Sequence, residues 1–206
     1  MSPGKLSGVI FDADGVLQHA GPFLGEDWIW PAARHRAFVS DLYGGKLSAA
    51  DLADAATFAA ACGRALAEAG WTEGADVYLA RWAARAVAPD PAMLEDVRRL
   101  RAAGIACHVG SNQDAFWAAH LEHGLGYGAL FDGLHLSCRL GAAKPQTAFF
   151  EAMLAAIPLP REALVFFDDK AANVAAAQAC GLTARLFVDR AQYLRDLEDL
   201  YGPSAT

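Results

Sequence analysis

Five short apolar runs recur along the chain: Leu6 to Phe11, Ile105 to Val109, Gly133 to Ser137, Ala163 to Phe167 and Thr183 to Val188. Their length and flanking residues predict buried strands. All but the first follow a stretch with helical spacing. Met93, Val97 and Leu100 lie on one helical face and Gly104 supplies a stop before the second strand. Further helices are predicted over Asp114 to His123, Gln146 to Ile157, Ala171 to Cys180 and Ala191 to Tyr201. Four crossovers then connect five strands, which predicts a doubly wound parallel sheet whose ligands sit at the carboxyl ends of the strands.

The alternation stops between Leu17 and Pro89, where roughly seventy residues carry helical signals alone. The pattern predicts a core formed by residues 1–17 and 89–206 with a helical cap, residues 18–88, inserted between its first two strands. Pro31 suits a first helical turn and Gly44 a stop. Ser48-Ala49-Ala50-Asp51 reads as a capping box opening a long alanine-rich helix that ends near Gly70, and another helix is predicted over Ala75 to Val87. Trp28, Trp30, Trp71 and Trp82 fall in this segment with Phe38, Tyr43, Phe58 and Tyr78. A small helical unit needs such side chains for its own core, with one or two left to face a substrate.

Composition narrows the class. At 206 residues and 54% hydrophobic content, the chain can bury a sizeable core. A net charge of -7, with 17 scattered Lys and Arg, argues against a nucleic-acid surface. Cys62, Cys107, Cys138 and Cys180 form no Cys-x-x-Cys pair and read as buried thiols of a reducing compartment. Neither a signal-type segment nor an 18-residue apolar stretch is found, so a cytoplasmic protein without membrane association is expected.

The candidate chemistry lies after the strands. Val9-Ile10-Phe11 runs into Asp12-Ala13-Asp14-Gly15, which brings two carboxylates into one small volume where they need a cation or a shared proton. Asp-x-Asp-Gly is also a turn or calcium-loop fragment, so this motif alone does not decide. The second strand runs into Ser111-Asn112, Lys144-Pro145 precedes a helix with the proline suited to its first turn, and Val165-Phe166-Phe167 runs into Asp168-Asp169, with Asn173 just beyond. Their joint placement along one sheet edge is what gives weight to four individually weak signals. Arg34, Arg36, Arg81, Arg85 and Arg139 are candidate anion contacts with surface solvation as their default, and His108 is expected to be a hydrogen-bonded core residue.

The order Asp-x-Asp-Gly-Val-Leu, Ser-Asn, Lys-Pro, Asp-Asp resembles the haloacid dehalogenase superfamily over nearly the whole chain, and the insertion matches its members with a helical C1 cap. The resemblance implies a five-stranded, Rossmann-like α/β core. It also implies that Asp12 is the nucleophile that takes a phosphoryl group, and that Asp14 protonates the leaving alcohol and then activates water. Ser111 with Asn112 would hold the phosphoryl group and Lys144 would neutralise oxygens. Asp169 would bind Mg2+ with Asp12 and the Asp14 backbone carbonyl, with Asp168 assisting nearby. An oxygen-only ligand set without His or Cys suits magnesium independently of the resemblance.

The expected activity is a magnesium-dependent phosphomonoesterase acting on a small phosphorylated metabolite. A phosphomutase with the same residues remains open. A 2-haloacid dehalogenase is disfavoured because halide departure needs neither Asp14 nor a metal. Receiver domains place their acids in a different order, and a non-catalytic binding protein would have little use for every charged motif residue. Monomer and homodimer are both open, an exposed aromatic cap being one route to a dimer.

Overall fold

The computed structural model describes residues 6–21 and 30–202. Its centre is a five-stranded parallel sheet formed by β1 (Gly8–Phe11), β4 (Ala106–Ser111), β5 (Gly133–Leu136), β6 (Leu164–Asp168) and β7 (Thr183–Leu186), in the order β5-β4-β1-β6-β7. All five predicted strands are present. The central strand is wholly buried, and its side chains divide between the two faces with a period of two. Val9 and Phe11 join Val109, Val165 and Phe167 against helices α5 (Pro91–Ala102) and α11 (Arg190–Tyr201). Ile10 joins Phe166 against Phe149, Phe150 and Met153 of α9 (Thr147–Ala156), with α10 (Ala171–Ala179) alongside. Helices on both faces explain why the strands read as continuous apolar runs rather than as alternating ones.

Between Phe11 and the second sheet strand the chain forms β2 (Gln18–Ala20), which pairs antiparallel with β3 (Val87–Pro89). The insertion leaves and re-enters the core through this ribbon. Asp90 closes the junction, its N–H donating to Leu17 O at 2.8 Å while its carboxylate caps α5 by accepting from Ala92 and Met93 N–H. The insertion itself is helical, with α1 (Ala32–Asp41), α2 (Ala49–Ala53), α3 (Ala55–Glu68) and α4 (Ala75–Ala86). Trp30, Phe38, Phe58, Trp71, Tyr78 and Trp82 are buried in a cluster of their own. Tyr43 is 41% exposed. Trp28 lies outside the described residues. Phe58 stacks on Phe116 and Trp82 meets Trp117 edge to face, docking the insertion on α6 (Ala115–Ala119) of the core.

Local details depart from the sequence expectations. The capping box at Ser48 and Asp51 is present, but the helix it opens ends after one turn because Asp54 turns extended and its carboxylate recaps the chain through Ala56 and Thr57 N–H. Pro31 precedes α1 as its cap instead of occupying its first turn, and α1 passes into a wide turn over Leu42–Lys46. Likewise Pro145 is not in the first turn of α9. A turn closed by Gln146 N–H on Ala143 O intervenes, and the helix starts at Thr147. Two short helices, α7 (Tyr127–Leu130) and α8 (Ser137–Leu140), flank β5.

Candidate active site

Asp12 is 3% exposed at the end of β1, its N–H donating to Phe167 O at 2.8 Å. The following loop curls tightly, with Leu17 and Gln18 N–H both donating to Ala13 O. Gly15 sits at φ +84°, and a Cβ there would lie 2.5 Å from Asp169 Oδ2. Glycine is therefore needed for both conformation and space, because the first loop must pass directly over the fourth motif's carboxylate.

Lys144 joins the two acidic strand ends. Its ammonium lies 2.9 Å from Asp12 Oδ1 and 2.6 Å from Asp168 Oδ2, and donates to Gly110 O at 2.8 Å, with the side chain 1% exposed. The lysine is held by Asn112, whose amide donates to Lys144 O at 2.9 Å and accepts from Lys144 N–H at 2.8 Å. One N–H and the oxygen of the Asn112 side chain are thus engaged with the Lys144 main chain, next to Ser111. Ser111 is 1% exposed and its hydroxyl hydrogen-bonds Asp12. Burial pushes the Asp12 carboxyl up to about 6, opposed by the Lys144 ammonium and reinforced by the neighbouring Asp168.

Oxygens of Asp12, Asp168 and Asp169 lie within 4.8 Å of one another, a grouping able to hold a metal ion. The three do not play equal parts. Asp168 is fully buried and accepts from Lys144 Nζ, from Lys170 N–H and twice from Asn173. Its Oδ2 meets Lys144 and Asn173, and its Oδ1 meets Lys170 N–H and Asn173. Asp169 is exposed and stands against the Gly15 turn. Three carboxylates against one ammonium leave an excess of negative charge, and an all-oxygen donor set with that excess suits a hard divalent cation.

Asp14 faces the same opening but its side chain takes no part in that cluster. Gln18 and Gln113 hold it, each donating an amide N–H at 2.8 Å, one to each carboxylate oxygen. Gln113 also donates to Ser111 Oγ at 3.2 Å, and its own main chain is fixed by Ser137 Oγ at 2.9 and 3.0 Å. Sequence reasoning missed both glutamines, although Gln113 immediately follows the Ser111-Asn112 motif it serves. Gln113→Leu is expected to lower kcat by about tenfold with little change in folding, the scale at which loss of a positioning contact acts; steady-state kinetics beside a thermal melt checks it.

The other candidates lie elsewhere. His108 is buried with its Nδ1 3.3 Å from His135 Nε2, a core pair as expected. Arg34 donates to Ala69 O and lies over Trp30, Arg81 pairs with Glu73 and Arg139 with Glu122, while Arg36 is exposed. None of the five arginines lines either cavity beside the strand ends. The four cysteines are unpaired, Cys62 and Cys107 being buried and Cys138 and Cys180 half-buried. Among the described residues no helix is long and apolar enough to cross a membrane.

The doubly wound sheet thus ends in paired aspartates, a serine and a buried lysine gathered at one edge. The chain belongs to the haloacid dehalogenase-like hydrolase family, whose model matches residues 6–181. It is 32% identical over 114 residues to the sesquiterpene phosphatase astK of Aspergillus oryzae, an alignment covering 55% of this chain and 58% of that protein. It is 37% identical over 76 residues to the drimenol cyclase drtB of Aspergillus calidoustus, covering 37% of this chain and 14% of that protein. The chain thus spans only part of the curated relatives it matches. Among solved structures, the magnesium complex of the HAD family enzyme BT-2542 from Bacteroides thetaiotaomicron superposes with a TM-score of 0.71 at 16% identity, covering 93% of this chain and 100% of that one. The L-2-haloacid dehalogenase RSc1362 superposes with a TM-score of 0.52 at 18% identity, covering 88% and 86%. At these identities the likeness is one of fold.

Proposed function

We propose that the protein is a magnesium-dependent phosphomonoesterase acting on a small phosphorylated metabolite through an aspartyl-phosphate intermediate. The observation that carries this reading is the buried Lys144 ammonium bonded to Asp12 and Asp168, with Asp14 presented at the same opening by two amides. In the first step an Asp12 carboxylate oxygen attacks phosphorus, the bond to the ester oxygen breaks, and Asp14 gives its proton to the departing alcohol. Asp14 then takes a proton from the water that attacks the acyl phosphate, which releases inorganic phosphate and restores the Asp12 carboxylate. Ser111 and Lys144 supply donors to oxygens on which negative charge accumulates. Asp12, Asp169 and the Asp14 carbonyl would hold magnesium, which supplies the positive charge that lets a phosphate dianion approach carboxylates.

Support comes also from a relative named as a phosphatase. Asp14 has no task in displacing halide, so the residues present favour the phosphate ester over the carbon–halogen bond. The insertion is proposed to act as the cap over this opening. Hydrolysis of an aryl phosphate, with magnesium and with chelator, tests the assignment. Asp14→Asn is expected to lower kcat by roughly 10²- to 10⁴-fold, the usual contribution of a positioned acid–base group, while Asp12 still becomes phosphorylated when the leaving group is a good one. Acid-quenched intact-mass measurement then detects the phosphate adduct, and absence of the adduct with full activity retained would refute the role.

A further inference from the structure

A cavity of about 710 Å³ lies between the insertion and the core, and Asn112 and Gln113 of its lining adjoin Ser111 in the chain. Such a volume is that of a site for a whole small ligand rather than for a phosphoryl group alone. It begins at Asn112 and Gln113, directly after Ser111, and its walls are Tyr43, Leu52 and Ala53 from the insertion and Trp117, Cys138 and Ala142 from the core. Gln113 and Trp117 also line a smaller chamber of about 140 Å³ whose wall includes Asp14.

Most of its polar lining is engaged within the protein, the exposed Gln146 being the exception. No Lys, Arg or His is among the described residues lining it. Its one charged lining residue, Asp114, accepts from Tyr43 OH at 2.6 Å and from Trp117 N–H at 2.9 Å. The Asn112 amide is clasped to the Lys144 main chain, and the Ser137 hydroxyl to the Gln113 main chain. A second phosphate or a carboxylate on the substrate would face a carboxylate without a countercharge, and several sugar hydroxyls would lose water for few partners beyond the Gln146 amide. An apolar body meets no such cost.

We infer that the substrate is a single-phosphate ester of an uncharged, apolar alcohol, whose hydrocarbon body fills this cavity while its phosphate lies at Asp12. The inference rests on the phosphomonoesterase reading. Its test is the kcat/KM of the whole chain, with magnesium, on n-butyl, n-hexyl and n-octyl phosphate, on glucose 6-phosphate and on an aryl phosphate. The alkyl series is expected to rise with length, by up to roughly fourfold per buried methylene, with the octyl ester well above glucose 6-phosphate. Ala53→Lys, at an exposed position at the end of α2, is expected to flatten that rise by placing an ammonium at the apolar wall. A flat series, or a preference for glucose 6-phosphate, while the aryl ester is hydrolysed would overturn the apolar substrate and leave the phosphatase standing. If no ester is hydrolysed, both fall.

Discussion

Replacing Lys144 with methionine is expected to abolish turnover and to destabilise the fold by about 3–5 kcal/mol, the cost of stranding buried charge when one partner is removed. The ammonium is the common partner of Asp12 and Asp168, both nearly inaccessible to water. The loss should depend on pH. Burial already raises Asp12 to about 6 in the intact site, and removing the ammonium raises the folded-state value further. The folded variant then holds protons that the unfolded chain, with an ordinary carboxylate near about 3.9, releases. Stability of the variant therefore falls as pH rises between those two values, and the gap to the parent protein is wider at pH 8 than at pH 5. Urea denaturation in the presence of chelator at the two pH values checks this; an equal gap at both would show that the lysine is not balancing these carboxylates.

Asp12→Asn should separate chemistry from stability in the opposite sense. It removes the proposed nucleophile, so kcat is expected to fall by on the order of 10⁴-fold or more. The amide keeps an oxygen facing Lys144, and it no longer has to be desolvated as an anion in a site 3% exposed. The denaturation midpoint is expected to stay level or rise slightly. A folded variant with more than a tenth of the parent rate would overturn the assignment of Asp12.

The two variants probe what the sequence made most legible. Strands buried on both faces are uninterrupted apolar runs, so Val9 to Phe11 and Val165 to Phe167 announce themselves, and the acids that follow them must lie at the sheet's carboxyl edge. Gln18 and Gln113 carry no such signal, because a glutamine's role depends on which carboxylate it happens to reach across the turn. Strands β2 and β3 have three residues each, too few for any period to show. The break at Asp54 was readable in principle, since an aspartate three residues before Thr57 is an N-cap signal within a run of alanines. Gly110 looks out of place in a strand until packing is seen: a Cβ there would lie 2.8 Å from Met153 Sδ and 3.3 Å from Ile10 Cγ2, so the α9 methionine would have to shift to admit one.

The ribbon of β2 and β3, closed by Asp90 on Leu17, brings the two ends of the helical insertion side by side. A unit whose chain enters and leaves through one paired stem can be exchanged, lengthened or shortened in one genetic event without breaking any strand of the sheet, provided its replacement still covers Phe116 and Trp117. The carboxylates proposed as catalytic and Lys144 sit on the host's side of that stem, while Tyr43, Leu52 and Ala53 of the cavity wall sit on the other. Part of the cavity wall is thereby carried on a separable stretch of chain, and on the proposed function grafting another insertion at residues 20 and 87 offers a route to altered specificity.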